Sequence, residues 1–336
     1  MSTSASNPRL STLPPATLAE KAAGGDLGAV SEALNRIDDD RPQNREAILA
    51  LLDAVTGRAR GARIGVTGAP GSGKSTLLDA VVANLRERGR SVGILAVDPS
   101  SQRTGGALLG DRMRLGSAAR DAGVFLRSLA ARDQLGGLSE VTGPSLDIMQ
   151  AAFDMVFVET VGVVQSEAGV IDVVDSLVFV AQPAAGDLIQ FMKAGILEWP
   201  DIFFVNKSDL GEAAQRTSAE LRAGLELGNR RDPDHAPQVL CGSARDGLGI
   251  DDLIDAIDAH QQYLKSSGRG EIRRADGRIA RVHSILSARY GRYGLERLPT
   301  RLGIGDYVRA RPDASVERLA DELGREVEAS LGAKAN

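Results

Sequence analysis

The sequence predicts an α/β fold in which a mostly parallel sheet is covered by helices on both faces and extended by helices at both ends of the chain. Strand-like runs alternate with helical patterns, and we predict strands at 62–67, 92–97, 124–129, 154–160, 176–182, 201–206 and 237–242. The runs are almost continuously apolar, as in VFVET and LVFVAQ, which is typical of strands buried between two helical layers. Ligands of such sheets bind beyond the carboxyl ends of the strands, so we expect the functional site there.

The chain divides into four predicted segments. These are a leader rich in Ser, Thr and Pro that we expect to be disordered (1–15), an N-terminal helical extension (16–60), a central domain (61–265) and a C-terminal helical arm (266–336). Helical periodicity in the extension falls in two regions, Leu18–Leu34 and Ile48–Val55, which predicts two short helices. The run SSGRG at 266–270 is typical of a linker.

The C-terminal arm carries two notable patterns. An amphipathic stripe has nearly heptad spacing and consists of Val316, Leu319, Leu323, Val327 and Leu331. Two interpretations of this stripe stay open: it packs back onto its own chain, or it forms the arm of a homodimer. A cluster of arginines near the start of the arm favours a solvated helix face, with an acidic protein surface as the alternative partner. Its members are Arg269, Arg273, Arg274, Arg278 and Arg281.

Composition favours a globular protein that folds without disulfides. The 336 residues are 43% apolar and 4% aromatic, with a formal net charge of −5. There is no run of eighteen apolar residues and no apolar core of a signal peptide, so we expect no membrane partner and a cytoplasmic location. Basic residues form no long stripe with interleaved aromatics, so we expect no nucleic-acid partner. The single cysteine, Cys241, is predicted to be a small apolar residue on a buried strand.

The most informative motif is GAPGSGKST, which directly follows the first predicted strand and directly precedes a helical pattern. It consists of Gly68, Ala69, Pro70, Gly71, Ser72, Gly73, Lys74, Ser75 and Thr76. Its glycines allow successive backbone N–H groups to turn around phosphates at a helix N-terminus. Lys74 would reach the β and γ phosphates, and the Ser75 hydroxyl would bind Mg²⁺. The alternative is a glycine-rich turn before an ordinary helix.

A second motif, NKSD, follows the predicted strand at 201–206 and predicts guanine recognition. It comprises Asn206, Lys207, Ser208 and Asp209. The Asp209 carboxylate can accept hydrogen bonds from N1–H and the exocyclic amino group of guanine, whereas adenine has the opposite pattern there. The strand at 237–242 ends at Ser243, Ala244 and Arg245, where a backbone N–H would meet the guanine carbonyl. NKSD taken alone could also be a surface turn.

Two further loops have the composition of nucleotide-dependent switches. One runs from Asp98 to Asp111 and supplies carboxylates, hydroxyls and glycines. In the other, ETVG, a buried strand delivers Glu159, and Gly162 can offer its N–H to the γ phosphate. A carboxylate at the end of an apolar strand is costly without a cation nearby, so Asp98 and Glu159 are predicted to lie at Mg²⁺. For Asp111 a helix N-cap is the alternative role.

Together these motifs resemble the MeaB/ArgK family of GTPases, whose human relative is the methylmalonic aciduria type A protein. The resemblance is close over about residues 45–265 and rests on GAPGSGKST, VDPSSQRTGGALLGDRMR, LGGLS, ETVGVVQSE, PAAGDLIQFMKAGI and NKSDL. It implies a P-loop G domain of the SIMIBI class that binds GTP and GDP with Mg²⁺ and works as a homodimer. It also implies a chaperone that gates cofactor loading and protection of an adenosylcobalamin-dependent acyl-CoA mutase.

Carried onto this chain, the resemblance implies specific roles for the motif residues. The phosphate and Mg²⁺ set is Lys74, Ser75, Asp98, Asp111 and Glu159, and the catalytic set is Lys74, Asp111, Glu159 and Gly162. The segment 184–193, with Asp187, Gln190 and Lys193, would be a third switch that couples the nucleotide state to the mutase. An exposed helix face is the alternative for Gln190 and Lys193.

Three positions depart from the family pattern. Val164 and Ala184 stand where the family has glycine, and Leu188 stands where it has an acid. Replacing glycine narrows the backbone angles that a switch can visit, so we expect altered coupling. Two clients stay open: the methylmalonyl-CoA mutase, or a related mutase that the altered coupling would serve. The phosphate, metal and base contacts are untouched by these changes.

Two other function classes share parts of this pattern. A metal-delivery GTPase requires a cluster of histidines or cysteines, whereas His235, His260, His283 and Cys241 are scattered along the chain. A P-loop kinase or transport-linked ATPase would use ATP, which NKSD disfavours. We expect slow intrinsic GTP turnover, because Arg103 is the nearest candidate for an arginine finger and only a weak one.

Overall fold

A computed structural model describes residues 13–39, 41–98, 121–130, 140–160, 169–183, 196–227, 230–298 and 303–332. Within them lies a seven-stranded sheet in which every neighbouring pair is parallel, in the order β3-β2-β4-β1-β5-β6-β7. The strands are β1 (Ala62–Thr67), β2 (Val92–Asp98), β3 (Val124–Ala130), β4 (Met155–Glu159), β5 (Ser176–Ala181), β6 (Ile202–Val205) and β7 (Gln238–Cys241). All seven predicted strands are therefore confirmed, with each end within one residue.

Helices cover both faces of the sheet and extend it at both ends. They are α1 (Pro15–Ala23), α2 (Leu27–Ile37), α3 (Arg45–Val55), α4 (Lys74–Glu87), α5 (Thr142–Ala152), α6 (Glu212–Leu227), α7 (Ile250–Ser266), α8 (Arg269–Leu295, with a break at Gly291), α9 (Ile304–Arg309) and α10 (Val316–Gly332). On one face α5 packs on the sheet around Leu95, Val156 and Leu177, and α1, α2 and α3 pack over α5. On the other, α4 and α7 pack around Ile64 and Phe157. Burial of strand residues on both faces explains their continuous apolar character.

The N-terminal extension contains one more helix than the two that we predicted. The first region of helical periodicity is divided, because α1 ends at Ala23 and α2 begins at Leu27. Gly25 has a φ of 85° at this break. Asp26 then caps α2, since its side chain accepts a hydrogen bond from the backbone N–H of Ala29 at 3.0 Å. The turn residues explain the division, which apolar spacing alone did not reveal.

The C-terminal arm follows the central domain without a flexible connection. Only Ser267 and Gly268 separate α7 from α8, and Gly268 has a φ of 71°. The linker predicted at 266–270 is therefore a tight turn between two helices. Glycine permits this left-handed conformation without steric cost.

The expectation of a solvated arginine face on α8 is wrong for most of its members. Arg273 donates to Asp201 at 2.9 Å, and Arg281 donates to Asp147 at 3.1 Å and to Glu317 at 2.8 Å. The Arg281 side chain is only 12% exposed. These arginines attach the arm to carboxylates of its own chain, because each faces an acidic residue that lies far away in the sequence.

The amphipathic stripe of α10 is largely buried within the chain. Val316, Leu319, Leu323 and Val327 are between 0 and 2% exposed and pack in one cluster with Val282 and Leu286 of α8. Leu331, the last member of the stripe, is 37% exposed. Of the two interpretations that the sequence left open, packing onto the same chain accounts for the first four residues.

Cys241 does not have the buried position predicted for it. It is exposed and is the last residue of β7, the edge strand of the sheet. An edge strand is paired on one side only, and the rest of β7 is just partly buried. Apolar sequence predicted the strand correctly but not its place in the sheet.

Candidate functional site

The carboxyl end of β1 leads directly into the loop predicted to bind phosphate. All of the loop from Gly68 to Thr76 lies within the described residues, and α4 begins at Lys74. Gly68 and Gly73 have φ values of 140° and 92°. A Cβ atom on Gly68 would lie 2.2 Å from the Val180 carbonyl oxygen, and one on Gly73 would lie 2.4 Å from Nδ2 of Asn206. Both positions therefore require glycine for backbone angle and for space.

Lys74 lies inside the loop that precedes it. Its side chain is buried, with Nζ donating to the carbonyl oxygens of Gly68 at 2.7 Å and Ala69 at 3.1 Å. The ammonium group is thus held at the N-terminus of α4, where the helix dipole and unpaired N–H groups favour an anion. The arrangement can bind phosphate.

Ser75 and Glu159 meet at the predicted metal position. The Ser75 hydroxyl donates to Oε1 of Glu159 at 2.6 Å. Glu159 is at the carboxyl end of β4, which is paired with β1 on one side and β2 on the other. Asp98 ends β2 on the same edge of the sheet. The structure therefore brings together two of the four predicted metal ligands and places the backbone of a third nearby.

Asp79 belongs to the same cluster, although the sequence analysis did not identify it. It lies one helical turn after Ser75 on α4, and its Oδ1 atom is buried without a hydrogen-bond partner among the described residues. Burial, together with the neighbouring Glu159 carboxylate, raises the pKa of Asp79 to about 6. The spacing of four residues on one helix was the available signal. Two carboxylates and a hydroxyl provide the hard oxygen ligands that suit a divalent cation such as Mg²⁺.

Asn206 joins the phosphate loop to the loop after β7. Its side chain is 3% exposed, donates from Nδ2 to the Ser72 carbonyl at 2.9 Å and accepts at Oδ1 from the Ala244 N–H at 2.9 Å. Lys207 also contacts the phosphate loop, since Nζ donates to the Gly71 carbonyl at 2.9 Å. Lys207 has a φ of 60°, which is uncommon for a residue other than glycine. These contacts fix the NKSD loop beside the phosphate loop.

Asp209 points its carboxylate toward the neighbouring loop. It accepts from the Ser243 hydroxyl at 3.3 Å and from Arg245 Nη2 at 3.2 Å, and its side chain is 31% exposed. Asp246, which the sequence analysis missed, accepts from Ser243 at 2.6 Å and pairs with Arg245 at 3.1 Å. The hydrogen bonds from Arg245 and Ser243 lower the pKa of Asp246. Asp209 therefore lies as a partly exposed hydrogen-bond acceptor at the edge of the site.

Several predicted site residues lie outside the described residues. They are Asp111, Gly162, the third-switch segment 184–193 with Asp187, Gln190 and Lys193, the departures Val164, Ala184 and Leu188, and Arg103. The backbone of Asp98 is described, but its side chain is not. Within the described residues no group of three His, Cys, Asp or Glu side chains has the geometry to hold a metal ion. No helix in this part of the chain is both long and apolar enough to cross a membrane.

Comparison with known proteins agrees with this geometry. Residues 30–290 match the family model described as methylmalonyl Co-A mutase-associated GTPase MeaB. A protein of Pyrococcus abyssi named as a GTPase is 39% identical over 273 residues, covering 80% of this chain and 83% of its own length. The mouse methylmalonic aciduria type A homolog, mitochondrial, is 35% identical over 258 residues, covering 73% of this chain and 62% of its own length.

A solved structure shows the same fold. The crystal structure described as a LAO/AO transport system kinase has a TM-score of 0.68 and 26% sequence identity, and the match covers 86% of this chain and 90% of that one. The family match spans most of the chain and includes both the phosphate loop and the NKSD loop. The chain belongs to the MeaB family of P-loop GTPases.

Proposed function

We propose that this protein binds and hydrolyses GTP with Mg²⁺ and acts as a G-protein chaperone for an adenosylcobalamin-dependent acyl-CoA mutase. In this role it would gate loading of the cofactor and protect the mutase. The match of residues 30–290 to the mutase-associated GTPase family carries the proposal. The mouse relative, whose name refers to methylmalonic aciduria, supports it.

The phosphate loop supplies the binding part of this function. On GTP binding, Lys74 would exchange its two carbonyl partners for phosphate oxygens at the N-terminus of α4. Ser75 and Glu159 would hold Mg²⁺, which neutralises charge on the β and γ phosphates when it is bound. Asp79 would add a second carboxylate beside Glu159. We propose slow turnover without the partner, since the sequence offers only Arg103, a weak candidate, as an arginine finger.

Asp209 is proposed to select guanine. Its carboxylate is partly exposed and already accepts from Ser243 and Arg245, so hydrogen-bond donors of a base can join the same oxygens. Asn206 is proposed to position the loops around the base, since both ends of its amide are bonded to backbone groups. Asp209→Asn would leave an amide donor facing the guanine amino group, and we expect GTP affinity to fall on the order of 10²-fold.

A homodimer is part of the proposal, and the C-terminal arm is its proposed site. Three of the exposed large apolar residues lie on this arm: Ile272, Tyr293 and Leu331. Tyr293 is 60% exposed and has the largest side chain of the three. Light scattering of the purified chain tests this assignment, and Tyr293→Ser should shift a dimer toward monomer.

The steady-state GTPase rate, measured alone and with adenosylcobalamin-dependent acyl-CoA mutases of the same organism, tests the proposed function. A clear rise with one mutase would support the chaperone role and identify the client. The Lys74→Ala variant serves as the control, because it should abolish both the basal and the stimulated rate. A basal rate that no mutase changes would refute the partner while leaving the GTPase assignment intact.

A kinase is the second candidate function, and one observation favours it: the similar crystal structure is described as a transport system kinase. That description belongs to another protein, which is 26% identical to this chain. ATP and GTP turnover measured side by side separate the two functions. Preference for GTP agrees with the hydrogen-bonding pattern of Asp209, whereas preference for ATP with transfer to an added acceptor would favour the kinase.

A further inference from the structure

Two carboxylates, those of Asp209 and Asp246, share the same two partners at the edge of the proposed guanine site. The Ser243 hydroxyl lies 2.6 Å from a carboxylate oxygen of Asp246 and 3.3 Å from one of Asp209. Arg245 donates from Nε to Asp246 at 3.1 Å and from Nη2 to Asp209 at 3.2 Å. A hydroxyl has one proton to donate, and the shorter distance favours Asp246 as its acceptor.

The loop that carries these partners has a fixed backbone and one movable side chain. Ser243 and Leu248 exchange backbone hydrogen bonds at 3.0 and 3.1 Å, and Gly247 between them has a φ of 71°. The backbone N–H of Asp246 also donates to the Ser243 carbonyl at 3.2 Å. The side chain of Arg245 is 72% exposed, so it can change partners without a change in the loop.

Arg245 can compete with guanine for Asp209. Guanine offers a carboxylate two parallel donors, N1–H and the exocyclic amino group, and a guanidinium offers two N–H groups in a similar arrangement. In the structure Nη2 of Arg245 contacts Asp209, while Nε is bonded to Asp246. Asp246 is also the first cause of the raised pKa of Arg245, ahead of Asp209. Asp246 therefore holds the guanidinium in a position that bridges the two carboxylates.

We propose that Asp246 is a positioning residue for guanine recognition, an inference that rests on the proposed binding of GTP. It holds the Ser243 hydroxyl and the Arg245 guanidinium, and so leaves the oxygens of Asp209 available to the base. When guanine binds, Arg245 leaves Asp209 and keeps its pair with Asp246. Without the Asp246 carboxylate, the guanidinium pairs with Asp209 through two hydrogen bonds and occupies the positions of the guanine donors.

Binding of GDP, measured by isothermal titration calorimetry with Mg²⁺ present, tests this inference. Asp246→Asn keeps the size of the side chain but removes its charge, and it should raise the Kd about threefold, the size expected of an exposed ion pair. Asp252→Asn is the matched control, because it removes the same charge from an exposed position in the first turn of α7. Its Kd should equal that of the parent.

A second variant separates the competition from a purely structural role of Asp246. Arg245→Gln removes the competing guanidinium and should lower the Kd for GDP about twofold. In that background Asp246→Asn should have no further effect, because no guanidinium remains for Asp246 to hold. If Asp246 acted only on the structure of the loop, the loss of affinity would be the same in both backgrounds.

The outcomes distinguish this inference from the proposed function. A parent protein that does not prefer GDP over ADP would contradict guanine recognition by Asp209 itself. If the parent prefers GDP, the inference is overturned when Asp246→Asn and Asp252→Asn give the same Kd, or when the loss persists in the Arg245→Gln background. Thermal unfolding of each variant without nucleotide verifies that it is folded.

Discussion

The carboxyl ends and the amino ends of the parallel strands, here called the carboxyl edge and the amino edge of the sheet, differ in how their charged groups are paired. At the carboxyl edge, Lys74 is bonded to carbonyl oxygens of its own loop, and Asp79 has a carboxylate oxygen without a partner among the described residues. At the amino edge, charges are paired over long sequence distances: Arg63 donates to Asp147 at 2.5 Å, and Arg274 donates to Asp175 at 2.8 Å. The carboxyl edge thus keeps an oxygen of Asp79 available to a ligand, whereas at the amino edge the pairing of Arg274 with Asp175 attaches the arm to the central domain.

We expect the charged groups of the carboxyl edge to serve ligand binding and those of the amino edge to stabilise the fold. A buried carboxylate oxygen without a partner among the described residues, such as Oδ1 of Asp79, is costly to the folded protein and is expected where a cation binds. Paired charge in a partly buried interface fixes one arrangement of the segments, and removing one partner leaves the other uncompensated. Substitutions at the carboxyl edge should therefore change turnover, whereas those at the amino edge should change the free energy of unfolding.

The largest expected effect is on turnover at the carboxyl edge. Lys74→Ala removes the cation at the N-terminus of α4, and we expect the GTPase rate to fall at least about 10²-fold. Lys265→Ala is the control, because this lysine is exposed on α7. Both rates are measured with saturating GTP. A Lys74→Ala rate close to that of the control would contradict the assigned phosphate site.

At the amino edge the largest effect should be on stability. Arg281→Met leaves Asp147 and Glu317 without their shared guanidinium, and we expect a loss of about 3–5 kcal/mol in the free energy of unfolding. Arg292→Met removes an exposed pair with Glu296 and should cost at most about 0.5 kcal/mol. Urea unfolding measures both. Equal losses of unfolding free energy in the two variants would show that the ion pairs of Arg281 with Asp147 and Glu317 do not hold the C-terminal arm.

The pH dependence of stability should report on a buried histidine at the amino edge. Desolvation lowers the pKa of His260 to about 4, with Arg273, His235 and Arg231 acting in the same direction and Asp201 opposing them. The unfolded state therefore binds the proton first as pH falls below 6.5, and stability decreases between pH 6.5 and pH 4. The loss from this group is on the order of 3 kcal/mol.

Substituting the histidine tests this explanation. His260→Asn retains a polar side chain but not the titration, so its stability should vary less between pH 6.5 and pH 4 than that of the parent. His283→Asn, at an exposed position, should leave the parent profile unchanged. If His260→Asn keeps the full acid dependence, other groups cause it.

The smallest effect should be a gain in stability at the carboxyl edge. Burial and Glu159 raise the pKa of Asp79, so its charged form destabilises the fold at pH values above the unfolded pKa. Asp79→Asn should therefore stabilise the nucleotide-free protein by about 1 kcal/mol, because the side chain is partly exposed and solvent screens its charge.

The same substitution should weaken the response to Mg²⁺. Thermal unfolding with GDP, measured as Mg²⁺ is added, should require a higher concentration for half of the stabilisation in Asp79→Asn. Asp255→Asn is the matched control, because this aspartate is exposed on α7 and pairs only with Arg88 among the described residues. If the Asp79→Asn protein is less stable than the parent without Mg²⁺, the charged carboxylate of Asp79 does not destabilise the nucleotide-free fold, and its assignment to the metal position is refuted.

The sequence predicted those features of the fold that depend on residues close together in the chain. The seven strands, the phosphate loop and the NKSD loop were all predictable, because apolar runs and glycine positions act over a few residues. The exposure of Cys241 was not, because it depends on β7 being the edge strand. The division of α1 from α2 was also missed, although Gly25 was a local signal for it.

What the sequence alone determined is the composition of the proposed nucleotide site, since the order of Gly73, Lys74 and Ser75 predicts their roles. Tertiary structure decided how distant residues meet. It brought Asn206 between the phosphate loop and Ala244, placed Asp79 beside Glu159, and paired Arg281 with two carboxylates on other helices. The physical reason is that backbone geometry is encoded locally, whereas a charge acquires its partner only when the chain folds.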